Sequence, residues 1–119
     1  MPDPRALKVL VVIPTLNEEA HIAQVLDGIA GFAARHDALV VVADGGSNDS
    51  TCEIVRARAV RDDRVRLIDN PRRLQAAAVN LAVERFGDGR DWLLRLDAHS
   101  AYPADFGDVL LAEAAQVGA

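Results

Sequence analysis

Cysteine is almost missing from this chain: Cys52 is the only one. That excludes an internal disulfide and a multi-thiolate metal site, fits a reducing cytoplasm, and leaves Cys52 to pack as a small hydrophobe in a helix. Aromatic residues are scarce, at 4%, and Phe32, Phe86 and Trp92 read as core. Basic charge is in deficit, with 13 Lys and Arg against 18 Asp and Glu and a formal net charge of −5. General affinity for nucleic acid or an anionic membrane, which needs a basic surface, is therefore excluded. The local run Arg56, Arg58, Arg61, Arg64 and Arg66 is interrupted by Asp62 and Asp63 and reads as a solvated helix end and strand edge. No apolar run approaches the ~20 residues of a membrane helix. No targeting segment opens the chain, and there is no repeat, low-complexity tract or linker. Also missing are a Gly-x-Gly-x-x-Gly dinucleotide loop and a Gly-x-x-x-x-Gly-Lys-Ser phosphate loop, so a nucleotide would have to be held by side chains and a metal ion.

Half of the 119 residues are hydrophobic and 26% are charged, the balance of a single soluble globular domain that is short for a complete sugar- or nucleotide-handling enzyme. The chain is organised around Leu39-Val-Val-Val-Ala-Asp-Gly-Gly-Ser-Asn-Asp-Ser-Thr51. An apolar run without alternation is how a parallel strand buried on both faces reads, so Asp44 is placed at a carboxyl end, where open α/β sheets bind ligands. Gly45 and Gly46 permit a tight turn, residues 47–51 offer caps for a following helix, and Ser50 with Glu53 fits a capping box. Alone, the stretch is an ordinary strand-to-helix turn.

The rest of the chain alternates in the same way. Residues 7–13 form a β-branched run stopped by Pro14, and Asn17 is placed to cap a helix with Glu18 and Glu19 in its first turn. Ile22, Val25, Leu26, Ile29 and Phe32 then recur at helical spacing to about Arg35. Further helices are predicted from Cys52 to about Val60 and over residues 76–83, with Gly87 and Gly89 at the exit of the latter. Residues 65–68 and 91–96 read as strands, and Pro103 can open a last helix carrying Val109, Leu110 and Leu111. His21 and His36 read as helix-surface residues. The fold class is α/β: a mainly parallel sheet of about four strands with helices on both faces, wound by right-handed crossovers.

Each predicted strand leaves toward one edge through residues able to handle a polar ligand. They are Thr15, Asn17 and Glu18, then Asp44, then Asp69, Asn70 and Arg72, then Asp97 and His99. Asp97 and His99 can both face an ion if the backbone bends between them. A hard divalent cation needs only one or two protein ligands when phosphate oxygens and water complete its shell, and the imidazole suits Mn²⁺ better than Mg²⁺. By spacing alone, the pair reads as a turn cap at Asp97 and a loop hydrogen bond from His99 rather than as a metal site.

Val12-Ile-Pro-Thr-Leu-Asn-Glu-Glu19, Val42-Ala-Asp-Gly-Gly-Ser-Asn-Asp-Ser-Thr51, the segment from Asn70 to Asn80, and Leu96-Asp-Ala-His-Ser-Ala-Tyr-Pro103 resemble, in this order and spacing, the amino-terminal half of a family 2 glycosyltransferase with the GT-A fold. The likeness is greatest to exopolysaccharide enzymes of the succinoglycan type, and it covers nearly the whole chain, so residues 1–119 read as one Rossmann-like donor-binding half domain. The resemblance implies that Pro14, Thr15 and Glu18 contact base or ribose. It gives Asp44 a hydrogen bond to the base, usually uracil, and sets Arg72, Arg73 or Gln75 beside the donor sugar and diphosphate. Asp97 takes the first position of the family's Asp-x-Asp motif, and His99 takes the third, where most members have a carboxylate. Both are thereby metal-ligand candidates. This chain has Arg-Arg-Leu-Gln where many relatives have glycines. The implied ligands are a UDP-sugar and a divalent cation, Mn²⁺ or Mg²⁺, which would act as Lewis acid on the leaving diphosphate.

Family members continue for about another domain's length. That part resembles an acceptor-binding half with the catalytic base and, often, membrane segments, and no residue here matches the base. The acceptor, a saccharide or lipid-linked saccharide, thus belongs to a longer parent, as does any membrane contact. The expected location is the cytoplasm, or the cytoplasmic face of the membrane for such a parent. The alternatives are a non-catalytic module that binds a nucleotide or a partner, and a nucleotidyltransferase. The latter needs a glycine-rich basic loop after the first strand, which Pro14-Thr-Leu-Asn-Glu18 is not.

Overall fold

A computed structural model of the chain describes residues 8–98. The elements run β1 (Val9–Thr15), α1 (Ile22–Arg35), β2 (Leu39–Asp44), α2 (Thr51–Arg61), β3 (Val65–Asp69), α3 (Gln75–Phe86) and β4 (Trp92–Arg95). All pairings are parallel and the sheet order is β3-β2-β1-β4. The chain thus walks outward from β1 to β3 and then returns to the other side of β1. Right-handed crossovers require the helices to change face when the direction of travel reverses. They do: α1 and α2 pack with Val9, Val11, Ile13, Val40 and Val42 on one face, whereas Ala78 and Ala82 of α3 meet Leu10, Val12, Val41 and Ala43 on the other.

The two central strands are apolar on both faces because both are covered. Val9 to Ile13 and Val40 to Ala43 are all buried, as parallel strands between helix layers must be. The small side chains Ala78 and Ala82 let α3 lie close to the sheet. On the other face α1 brings the larger Ile22, Val25, Leu26, Ile29 and Phe32. Trp92 and Phe86 are half-buried at the margins of these two cores. His36 is half-buried too, its ring 4.7 Å from that of Phe32, so it is less a surface residue than its sequence context suggests.

Three local expectations give way. Pro14 does not stop β1, which continues to Thr15 with Pro14 opposite Ala43 of β2. By the alternation of the ladder, the missing N–H of Pro14 faces β4, and that pairing has already ended at Val12 opposite Arg95; no ladder bond is lost. Asn17 is not the cap of α1. It sits at φ 55 in a left-handed turn, and the helix starts only at Ile22 with no acidic residue in its first turn. Ser50 does precede α2, but its side chain makes no capping bond. The predicted helix after Pro103, and His99 with it, lie outside the described residues.

Candidate functional site

The return of the chain past β1 creates a topological switch point between β1 and β4, and the crevice beyond the carboxyl ends of such strands is where α/β sheets take ligands. A cleft of about 250 Å³ opens there, lined by Pro14, Thr15, Leu16 and Glu18 after β1, Ala43 from β2, Asn70 and Arg73 after β3, and Arg95, Leu96 and Asp97 after β4. The fold therefore brings Pro14, Thr15, Glu18 and Asp97 to one cleft. Arg72 faces elsewhere, over a separate hollow with Pro71, Leu74 and Glu84. The adjacent Arg73 is the arginine in the cleft. Gln75 opens α3.

Asp44 does not line this cleft; it closes β2 beside Thr15 and lines a separate hollow with Cys52, Arg56, Leu67, Ile68 and Asp69. It is 4% exposed, and its two oxygens accept four hydrogen bonds from N–H and O–H groups. Thr15 Oγ1 (2.7 Å) and Ser47 Oγ (2.5 Å) donate to Oδ1, while the amides of Gly46 (3.0 Å) and Ser47 (2.8 Å) donate to Oδ2. Burial works to raise the Asp44 carboxyl, but the bonds from Ser47, Thr15 and the Cys52 thiol outweigh it and hold the group below its ordinary value of 3.8. The same proximity, after burial itself, pushes the Cys52 thiol up to about 11, so Cys52 is a protonated donor rather than a nucleophile. A carboxylate offers about four acceptor positions, and all are used inside the protein. Two of the donors are hydroxyls, however, and hydroxyls rotate. Asp44 can therefore exchange a hydroxyl for an N–H of a ligand without losing its backbone bonds.

The loops after β1 and β2 are joined by reciprocal side-chain-to-backbone bonds. Asn17 N donates to Ser47 Oγ and Asn48 N to Asn17 Oδ1, both at 2.8 Å. Glu18 N donates to Thr51 Oγ1 at 2.8 Å, Glu19 N to Asp49 Oδ2 at 3.2 Å, and Ser50 N to Glu19 Oε2 at 3.1 Å. Polar residues read from sequence as caps of their own helices thus satisfy the backbone of the neighbouring loop, although Asp49 also accepts from the amide of Thr51 at the start of its own helix. Nothing local in the sequence signals this, because the partners lie about thirty residues apart.

Asn70 and Arg73 build the remaining wall. Asn70 is 2% exposed; its N–H donates to Asp44 O at 2.8 Å, its C=O accepts from Arg73 N at 3.1 Å, and its Nδ2 donates to Leu74 O at 3.0 Å. Its buried Oδ1 has no partner among the described residues. Arg73 stands at φ 61 and lies directly against the β2–α2 turn. A Cβ on Gly46, itself at φ 100, would meet the Arg73 guanidinium at 3.0 Å, and one on Gly45 would meet Arg73 Cα at 3.5 Å. Gly46 is thus required by its positive φ, with the arginine guanidinium crowding the same position, whereas a side chain at Gly45 would meet only ordinary van der Waals contact.

Glu18, buried at 4%, and Asp97 are the carboxylates of the cleft. Among the described residues no group of three or more His, Cys, Asp or Glu is placed to hold a metal ion. The donor set fits a hard cation that takes one or two carboxylates and completes its shell with phosphate oxygens and water, and does not fit an ion caged by protein alone. Nor is any described helix long and apolar enough to cross a membrane.

Comparison with known proteins agrees with this architecture. Residues 10–119 match the model of the glycosyl transferase family 2. Over 110 residues the chain is 47% identical to the succinoglycan biosynthesis protein ExoA of Rhizobium meliloti, covering 92% of this chain and 33% of that protein. The mannosyltransferase PcManGT from Pyrobaculum calidifontis, solved in complex with GDP-Man and Mn²⁺, superposes with a TM-score of 0.72 at 32% identity over 88% of this chain and 32% of its own. Glucosyl-3-phosphoglycerate synthase from Mycobacterium tuberculosis shares the fold, with a TM-score of 0.70 at 23% identity over 89% of this chain and 38% of its own. The chain spans about a third of the length of the relatives it matches. A parallel sheet of order β3-β2-β1-β4, polar exits gathered at one switch point and a family match over nearly all its residues together mean that this chain belongs to the family 2 glycosyltransferases, as the amino-terminal, GT-A part.

Proposed function

We propose that the chain binds the donor of a glycosyl transfer, a nucleoside diphospho-sugar, in the cleft between β1 and β4, for the synthesis of a polysaccharide. The observation that carries this is the placing of Arg73 and Asp97 on one cleft with Thr15 and Glu18. The base and ribose lie against Pro14, Thr15 and Glu18, and Asp44 trades the Thr15 or Ser47 hydroxyl for an N–H of the base. Arg73 takes the diphosphate, as a guanidinium matches phosphate oxygens in pairs. Asp97 would hold a divalent cation, Mn²⁺ or Mg²⁺, with His99 as the second candidate ligand. When bound, that ion supplies charge neutralisation for the leaving diphosphate. Mn²⁺ is the ion present with the mannosyltransferase relative. That relative carries GDP-Man, whereas uracil is the base the sequence motifs imply, so the two nucleotides are the natural competitors. The acceptor site and the base that activates the acceptor are assigned to the parts of the longer relatives that this chain does not span, and the reaction is placed on the cytoplasmic side of the membrane.

Calorimetric titration of UDP and GDP, each with and without Mn²⁺, tests the reading. Saturable, Mn²⁺-enhanced binding of one nucleotide, weakened at least tenfold by Asp97→Ala or Arg73→Ala, supports it. No binding of either, or binding indifferent to both substitutions, rejects it.

A further inference from the structure

Thr51 is the first residue of α2, is wholly buried at 0% exposure and does not itself line the cleft. Its hydroxyl nevertheless has both of its roles assigned. Thr51 Oγ1 accepts from Glu18 N at 2.8 Å and donates to Asp49 Oδ1. Asp49 in turn is fixed by the Thr51 amide at 3.0 Å on Oδ1 and the Glu19 amide at 3.2 Å on Oδ2. A hydroxyl has one proton, so an acceptor-only carboxylate on one side dictates that its lone pair faces the other. Glu18 is then held at both ends of its backbone: its N–H by Thr51, and its C=O by the amides of His21 at 3.0 Å and Ile22 at 2.9 Å. The start of α2 is thereby tied directly to the backbone of a residue that lines the cleft.

From this chain of contacts we infer that Asp49 and Thr51 are positioning residues for the donor site, acting in the order Asp49, Thr51, Glu18 to aim the Glu18 carboxylate into the cleft. The inference rests on the donor-site reading and deepens it. Neither residue meets the ligand. Their work is to hold the Glu18 backbone in place before the ligand arrives, so that its side chain starts from a fixed point on the cleft wall, which saves ordering that binding would otherwise impose. A purely structural role predicts loss of stability with affinity unchanged, or affinity falling whatever residue stands at 18.

The test is a double-substitution cycle on the full chain, read as the dissociation constant for whichever of UDP or GDP the wild type binds in Mn²⁺, with thermal melting alongside. Thr51→Val keeps the shape and removes the hydroxyl; it is expected to weaken binding about tenfold, and Thr51→Ser, which restores the hydroxyl, to return affinity to within about twofold of wild type. In a Glu18→Ala background the same Thr51→Val change is expected to have less than about a twofold effect, because the group it positions is gone. Should Thr51→Val not fold, Asp49→Ala at its half-buried loop position is run through the same cycle with the same expectations. Additive effects in the two backgrounds, or a Thr51→Val chain that binds as wild type does, overturn the positioning role and leave the donor site standing. A wild type that binds neither nucleotide overturns both.

Discussion

The first two strand exits and the third solve the same problem in opposite ways. After β1 and β2 the loops bond to each other through Asn17, Glu19, Ser47, Asp49 and Thr51, with Asp44 tying down the turn beneath them. After β3 the loop is held, among the described residues, by the one side-chain bond from Asn70, and puts an exposed arginine in a left-handed conformation over the cleft. The difference separates two duties. The locked pair defines the shape of a pocket, and the third exit offers a charge to whatever occupies it. A site built this way should lose stability when the first part is damaged and lose affinity alone when the second is.

The strongest way to break the comparison is Asp44→Ala. It leaves two part-buried amides and two hydroxyls without their acceptor, and should lower unfolding free energy in urea by about 3 kcal/mol as well as abolish nucleotide binding. Gly46→Ala probes the seam between the two regions, since a side chain there must adopt φ 100 and displace the Arg73 guanidinium; about 1 to 2 kcal/mol of stability should go, with weaker binding. Arg73→Gly sharpens the contrast. Glycine accepts φ 61 without strain, so stability should stay within about 1 kcal/mol of wild type while affinity for a nucleoside diphosphate falls at least tenfold. If that variant melts early instead, the third exit is structural after all.

Acid gives a further reading of the locked loops. Asp44 and Asp49 are both held below the ordinary value of 3.8, in each case because hydrogen bonds outweigh the opposing effect of burial. A carboxyl depressed in the folded state stabilises the fold fully above its unfolded value, and that stability is lost as pH falls through the folded value. Urea midpoints should therefore be flat from neutrality down toward pH 4 and drop below it, and the drop should shrink in a Thr15→Val, Ser47→Ala chain. On the basic side, Cys52 should resist iodoacetamide at pH 8 and react appreciably only as pH nears 11, the value to which burial and Asp44 push it. The smallest effect is expected from Asp27→Ala. It removes the exposed partner of Arg58, an ion pair between α1 and α2 outside the cleft, and should change stability by no more than about 0.5 kcal/mol and binding not at all.

The sequence discloses the sheet almost completely because burial on both faces leaves an unbroken apolar run, and because a run followed by Asp44-Gly-Gly or Asp97 marks an exit. It misplaces the boundaries at Pro14, where the proline's effect depends on which neighbour its nitrogen faces. Caps fail for a related reason. Asn17 and Ser50 have the right chemistry for their own helices, yet Asn17 serves Asn48, and the Ser50 amide is itself served by Glu19. Between Arg72 and Arg73 no sequence rule chooses. The choice follows from the left-handed turn at Arg73, which a side chain rarely adopts and the sequence does not announce.

The reversal of the sheet at β1 has a kinetic corollary. One wall of the cleft is laid down with the first strand, and the other arrives only when Trp92 to Arg95 have threaded beside Val9 to Val12. Parallel pairing at such separation along the chain closes late and slowly. Nucleotide protection, followed in time after dilution from urea, would then report the last event of assembly, with the β1–β2–β3 half already in place and still unable to bind.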